Sequence, residues 1–355
     1  MKNLILFPFH LLSVFTTAKS FNNPIIGSKL FNRLGLHVAR MVAAHGIYRL
    51  RQFLLFSSLP KEDKLAFDRD GFLIKENFLP SDQHEALLSQ TRNYEGCARE
   101  VREGDTLTRR LLLSDEVSRN FPAYQEMREN PEYVRLLAYT SGMKQYPTTY
   151  LERIIHAATK GQSDPQKDLH KDTFHPTMKA WYFLEDVNSE DGPFHYVPGS
   201  HRLTRRRIKW EYAESIRRSE SGKTRHETAG GAFRPDENDV QELGLPDAIP
   251  LIVKKNTLVI ADTLGFHKRG QAVAGKERIA IWVNSRVNPF NPFPGFHSKF
   301  FGAVRDGAYE WYFAKQLKKA TRENKTARSA LVRLWENPAP ADKAAKSVMA
   351  DSLAG

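Results

Sequence analysis

The chain has 355 residues and a formal net charge of +12, from 53 Lys and Arg against 41 Asp and Glu. With 41% hydrophobic and 11% aromatic residues it can bury a full core, which excludes a wholly disordered chain. The one cysteine, Cys97, excludes an intrachain disulfide and a cysteine-built metal cluster, and it suits a reducing, cytoplasmic setting. The excess positive charge suits an anionic partner: nucleic acid, an acidic membrane surface or a phosphorylated substrate. Cys97 lies in the polar stretch NYEGCARE, which carries no signature of a catalytic thiol.

Met1–Ala18 has the order of a secretory signal, with Lys2 before an apolar run, but Pro8 and His10 interrupt it. The run is also too short and broken for a membrane span. The next stretch, GSKLFNRLGLHVARMVAAHGIYRLRQFLLF, places Leu30, Leu34, Met41 and Val42 near one helical face. Lys29, Arg33, Arg40, Arg49 and Arg51 add positive charge. A basic amphipathic helix of this kind lies on an anionic bilayer, or docks on the protein's own core. Residues 1–60 therefore read as an N-terminal segment that associates peripherally with the inner face of a membrane.

Ser57–Lys64 reads as a hinge. A strand is expected at Gly71–Ile74, then a helix opening at Ser81 with its hydroxyl as cap. Leu107–Ser114 reads as a strand and Asn130–Tyr139 as a helix with Pro131 in its first turn. From Tyr150 onward the pattern changes. YLERIIHAAT, MKAWYFLEDV, PFHYVPGS, IPLIVKK, TLVIADT and RIAIWVNSRV are short, rich in β-branched and aromatic residues, and bounded by turn formers. Antiparallel strands at that spacing make a two-sheet barrel or jelly roll. Residues 61–335 form this main domain. It is interrupted by an Arg-rich insertion at 201–248, which opens with Arg202, Arg205, Arg206 and Arg207 and is helical from Leu203 to Ser219. Residues 336–355 read as a flexible Ala/Lys-rich tail.

His170 and Asp172 are two apart, so on an extended strand they point the same way. His267, after the strand Thr257–Asp262, supplies a third ligand. Two imidazoles and a carboxylate on one face leave the opposite positions of an octahedral ion open, which suits Fe(II) that must bind a cosubstrate and O2. In a chain with 12 His, a His-x-Asp alone carries little weight. Arg278 adds to it. An Arg at the start of the apolar strand ERIAIWVNS needs an anionic partner, and either a dicarboxylate cosubstrate or a protein carboxylate fits.

Taken together, HKD, MKAWYFLEDVNSEDGPFHYVPGSHR and ADTLGFHKRGQAVAGKERIAIWVN resemble the phytanoyl-CoA dioxygenase family of Fe(II)/2-oxoglutarate oxygenases. The likeness runs from about Phe67 to Val287 and includes Ala180-Trp181, Asp191-Gly192 and Pro198-Gly199-Ser200-His201. It implies a mainly β chain with added helices, built as a cupin-like double-stranded β-helix. It implies that His170, Asp172 and His267 hold iron, that Arg278 binds the far carboxylate of 2-oxoglutarate, and that Trp181 lines the cosubstrate pocket. Related halogenases place Gly or Ala where Asp172 stands, so hydroxylation is expected. The insertion departs from the family pattern, so the acyl-CoA substrate does not transfer. His201 reads as structural.

The basic N-terminus and the Arg cluster suit an anionic, membrane-resident substrate such as a glycolipid bearing a Kdo-type sugar. His175, Arg202, Arg205 and Arg206 are the candidates to touch it. Two alternatives stay open: a hydroxylase of a soluble metabolite or acyl thioester, and a non-catalytic β-barrel that binds an anionic ligand. No aromatic-plus-basic platform of the kind that stacks bases is visible, so nucleic acid is not expected.

Overall fold

A computed structural model of the chain describes residues 8–55, 59–156, 163–220, 230–285, 287–322 and 329–337. Eleven strands form two sheets among them. β1 (Phe72–Lys75), β2 (Cys97–Glu103), β3 (Thr106–Leu112), β4 (Thr148–Ile155), β5 (Met178–Phe183), β8 (Thr257–Asp262), β10 (Glu277–Ser285) and β11 (Ser329–Arg333) make the large sheet. Its order is β1-β8-β5-β10-β4-β3-β2-β11. The small sheet has β6 (Phe194–Tyr196) between β7 (Ile249–Leu251) and β9 (His267–Arg269). All paired neighbours are antiparallel.

The two faces of the large sheet follow from strict alternation. Ala180 and Tyr182 of β5, Leu258 and Ile260 of β8, and Ile279 and Ile281 of β10 join one apolar cluster. That cluster includes Leu87 of α4 (Ser81–Arg92), Tyr124 of α5 (Pro122–Glu129) and Leu136 of α6 (Pro131–Ser141). The residues between them, Trp181, Phe183, Val259, Ala261 and Trp282, face the small sheet and pack with Phe194, Tyr196 and Leu251. Helices cover one face and the small sheet the other, as a double-stranded β-helix requires.

The remaining helices are α1 (Lys29–Arg33), α2 (Leu36–Leu54), α3 (Lys61–Asp70), α7 (Arg205–Glu220), α8 (Glu237–Glu242) and α9 (Lys299–Arg322). Two expectations need correction, and one strand was not foreseen. Lys61, inside the expected hinge, opens α3. Ser81 is the first residue of α4 and does not cap it, because Pro80 occupies the cap position and no side chain bonds the free amides there. The strand β2, with its charged sequence CAREVRE, carries no apolar alternation; neighbours on both sides hold it in the sheet. The tail beyond Pro338 lies outside the described residues.

The N-terminal segment is docked on the domain. α1 and α2 both pack against α7 of the insertion. No helix among the described residues is long and apolar enough to cross a membrane.

Candidate metal centre

Strand pairing brings the three candidate ligands together. His267 opens β9 opposite Tyr196 of β6, and on its other side it forms an isolated bridge with His170. The His170 amide donates to the His267 carbonyl at 3.0 Å, and the His267 amide returns the bond at 2.9 Å. Asp172 is held two residues further on by its own amide, which donates to the Thr263 carbonyl at 3.0 Å. The separation in sequence is thus closed by backbone bonds, before any side chain acts.

One ligand atom from each of His170, Asp172 and His267 lies within 4.8 Å of the others. Asp172 Oδ1 is 3.9 Å from His170 Nε2 and 3.8 Å from His267 Nε2. An ion with bonds of about 2.0–2.2 Å spans such gaps. The imidazoles are also oriented for it. His170 Nδ1 bonds the Asp168 carbonyl at 2.8 Å and His267 Nδ1 the Gly265 carbonyl at 2.9 Å. A carbonyl only accepts, so each Nδ1 carries the proton and each Nε2 presents its lone pair. Both Nε2 atoms are buried without a hydrogen-bond partner. Buried polar atoms left in that state cost stability unless something fills the gap, and a cation fits this donor set.

Electrostatics agree. Burial, then the neighbouring imidazole, holds His170 well below its usual range; burial, with Lys179 and Arg234, brings His267 down to about 4 against the pull of Asp172. Burial would raise the Asp172 carboxyl, but Lys179, His267 and His170 outweigh it and keep it well below the ordinary carboxylate range. At neutral pH the set is two neutral imidazoles and one carboxylate, the form a metal needs. Lys179 of β5 is 2.6 Å from Asp172 Oδ2, so one carboxylate oxygen is engaged and the other faces the imidazoles.

These residues line a cavity of 210 Å³ between the sheets. Trp181, stacked near Phe194 at 4.7 Å between ring centres, forms part of the wall with Trp282 and Arg278. Arg278 is buried, and its Nη1 donates to the Gly192 carbonyl at 2.5 Å. Among the described residues no carboxylate pairs with it. Burial, then Arg269, pushes it down to about 10, so it stays charged. Gly192 sits at φ +62, where the His156 ring leaves no room: an added Cβ would lie 2.6 Å from it. His156 itself is pushed down to about 3 by burial and by Arg278, so it adds no competing charge.

The other candidates fall elsewhere. His175 is buried, bonds the Pro176 carbonyl at 3.0 Å, and is not among the cavity residues. Arg202, Arg205 and Arg206 are exposed and also lie off the cavity wall, because the first turn of α7 directs Arg207 inward instead. His201 is buried against Phe67 at 6.3 Å between ring centres, as a structural residue. The cations that do surround the cavity are Arg110, Lys179, Lys268, Arg269 and Arg278. Lys179 could have been found as the one charge in the strand MKAWYF. Arg269 follows His267 by two and so shares its face of β9; its pairing with buried Asp164 needed the tertiary fold.

One further group stands behind the metal loop. Lys171, between the two ligands, turns away from the cavity and reaches Glu211 of α7 at 2.6 and 2.5 Å. Glu211 also accepts from Arg207 at 3.0 Å and meets His37 of α2 at 2.8 Å. The carboxylate is fully buried, and Lys171 and Arg207 hold it far below its usual range against the effect of burial.

The fold and the site define a class: this is an iron- and 2-oxoglutarate-dependent oxygenase. Residues 67–239 match the family model described as Phytanoyl-CoA dioxygenase (PhyH). The match includes His170 and Asp172 and ends before His267 and Arg278, which the fold supplies.

Several solved structures overlap with it. The epimerase SnoN from nogalamycin biosynthesis, in complex with Fe3+, alpha ketoglutarate and nogalamycin RO, is 17% identical at TM-score 0.42, over 63% of this chain and 82% of that one. HygX from Streptomyces hygroscopicus with nickel, 2-oxoglutarate and hygromycin B is 15% identical at TM-score 0.40, over 64% and 86%. EctD from S. alaskensis with bound Fe is 14% identical at TM-score 0.38, over 64% and 76%. No curated protein matches the chain.

Proposed function

We propose that the protein hydroxylates an anionic glycolipid, with His170, Asp172 and His267 as iron ligands and Arg278 as the anchor for 2-oxoglutarate. The observation that carries the site assignment is the pair of orphaned Nε2 atoms beside a buried, unpaired Arg278 on one cavity wall. When bound, iron, 2-oxoglutarate and O2 supply the oxidising chemistry: one oxygen atom enters a substrate C–H bond, and the other leaves in succinate as CO2 is released.

The chain's own residues do the rest. The Asp168 and Gly265 carbonyls fix the two imidazoles. Lys179 engages one oxygen of Asp172 and leaves the other for the metal. Arg278 offers a planar fork to the far carboxylate of the cosubstrate. Trp181 and Phe194 pack the wall and keep water from it.

The cavity bears on the substrate as well. Pockets that enclose a drug-sized ligand hold about 300–1,000 Å³, and this one holds 210 Å³. It suits the cosubstrate and the reacting end of a larger molecule whose bulk stays outside. Lys268 borders it, which favours an acidic sugar or phosphate at that end. A Kdo-type sugar has that chemistry. The test is succinate release by the purified protein with Kdo-lipid A, with His267→Ala as control. Turnover on a soluble acyl thioester and none on the lipid overturns the substrate. Iron binding that survives His267→Ala overturns the site.

A further inference from the structure

We infer that α1, α2 and the segment from Phe290 to Tyr312 form a single docking face for an anionic lipid bilayer. The inference deepens the glycolipid reading and rests on it for its purpose, but its test needs neither iron nor 2-oxoglutarate.

Helix α2 is amphipathic in the unusual sense. Its buried stripe holds the apolar Met41 and Ala44, the former expected on the outer face, together with five polar residues, His37, Arg40, Tyr48, Arg51 and Gln52. Each polar member finds a partner inside: His37 meets Glu211, Arg40 donates to the Val14 and Ala18 carbonyls at 2.8 and 2.7 Å, and Arg51 donates to the Asn291 carbonyl at 3.0 Å. The outward stripe, from Ala39 to Leu54, is apolar at every step, with Val42, Leu50, Phe53 and Leu54 exposed. Phe53 is 73% exposed. A helix that turns Arg40 and Arg51 inward and its leucines outward is finished only when a second apolar medium covers the outer face.

The exposure is concentrated. Of the 25 large apolar side chains exposed among the described residues, 19 fall between Phe9 and Leu54 or between Phe293 and Tyr312. The two stretches adjoin. Phe15 packs edge-on against Phe290 at 6.1 Å between ring centres, and Arg51 joins α2 to the Asn291 carbonyl. Beyond them Phe293, Phe296, Phe300 and Phe301 form an exposed aromatic chain, followed by Trp311 and Tyr312. Rings with a polar tip favour the headgroup level of a bilayer.

Charge decides between a bilayer and a second copy of the chain. Residues 1–60 hold seven Lys and Arg and no Asp or Glu. Phe290–Tyr312 is balanced, with Lys299 and Arg305 against Asp306 and Glu310, so the excess positive charge of the face comes from the N-terminal helices. A two-fold contact through this face would set like charge against like charge, since the same patch meets itself. An anionic bilayer offers the complement. The exposed cations Lys29, Arg33 and Lys299 now pair with Glu220 and Glu129 at the surface; such pairs are weak and exchange readily for lipid phosphate.

The face also adjoins the site. Lys19 donates to the Asp172 carbonyl, and Arg40 lies 4.0 Å above the Phe174 ring, which stacks with Phe290. A bilayer seated here lies beside the loop that carries two of the metal ligands.

Sedimentation of the full chain with vesicles tests this. Binding to vesicles containing phosphatidylglycerol should be at least about tenfold tighter than to pure phosphatidylcholine, and should weaken in high salt. Leu50→Glu with Phe53→Glu should lower it at least about tenfold, with Tm unchanged. Phe300→Ser with Phe301→Ser, at the other edge of the face, should lower it in the same direction. The inference is overturned if the wild type ignores phosphatidylglycerol, binds both lipids alike, or binds unchanged in both variants. It is also overturned if light scattering finds a dimer that either variant dissociates.

Discussion

Buried positive charge takes two forms here, and they differ in what completes them. Around Glu211, Lys171 and Arg207 converge on one carboxylate with His37 beside it, all of them buried. At the cavity, Arg278 is also buried and, among the described residues, has a carbonyl but no carboxylate. The first cluster is closed: it joins the N-terminal helix, the insertion helix and the metal loop. The second is open toward a cavity. Burial alone therefore does not mark a binding residue; the missing counter-charge does.

The sharpest way to break this contrast is to remove the two centres separately. Glu211→Ala leaves Lys171 and Arg207 buried without an acid and should cost about 3–5 kcal/mol in denaturant unfolding. Replacing Lys171, Arg207 and Glu211 together by Met, Leu and Leu should recover most of that loss. A small effect of Glu211→Ala would mean that the cluster is hydrated and not a closed unit. Arg278→Met should behave in the opposite way. Stability should hold or rise, because an unpaired buried cation is gone, while the Kd for 2-oxoglutarate rises about 100-fold, on the order of 3 kcal/mol. Calorimetric titration in the presence of Mn(II) reads it. Equal losses of stability at both positions would erase the distinction.

Much of this was legible in the residues, and the reason differs by region. The strands β5, β8 and β10 alternate large apolar side chains, because each of their two faces is buried against a different layer. His170 and Asp172 stood out as a His-x-Asp pair and Arg278 as a cation opening an apolar strand, but the expected strand under the pair is a loop in which only His170 bridges to His267. The N-terminal helix was harder. Its pattern matches both a membrane face and a core face, and the docked side proved to be the polar one, held by Glu211 and backbone carbonyls far along the chain. Lys171 could not be separated from a solvated lysine without knowing that α7 folds over it. The Arg run at 202–206 shows the converse: a dense cluster of one residue type looked like a ligand site, whereas only Arg207, one turn phase away, points inward.

Lys179 sits between the two categories, because it is a cation at the cavity whose partner is a metal ligand. Lys179→Met frees Asp172 Oδ2 and should weaken Mn(II) or Fe(II) affinity by about 10–100-fold, as losses of ligand-orienting partners do. Lys179→Arg should restore part of it. Both are read by metal titration in the absence of substrate. Unchanged affinity in the Met variant would show that the backbone bond from Asp172 to Thr263 is enough to place the carboxylate.

The smallest effect comes from buried groups that carry no charge. His156 and His201 are buried and pushed down to about 3, chiefly by burial. The unfolded chain takes up a proton on each near the ordinary value of about 6.5, while the folded chain refuses it until about pH 3. Their contribution to stability is therefore complete above pH 6.5 and falls as pH falls below it, by about 1.4 kcal/mol per pH unit for each. Asp262 works the other way. Burial raises its carboxyl to about 7, so between about pH 7 and 4 the folded state holds a proton that the unfolded state has released, and stability rises as pH falls. Those two histidines against that one carboxyl leave a net loss of about 1.4 kcal/mol per unit, and His45 and His267, both brought down to about 4, add to it in the same direction, so at least about 2 kcal/mol is lost between pH 6.5 and 5. Denaturant unfolding of the metal-free protein at those two pH values measures it. Asp262→Asn should steepen the loss by removing the opposing group. A flat profile in both proteins would mean that the rings of His156 and His201 reach water, and that neutral burial does not distinguish them from the charged pairs around Glu211.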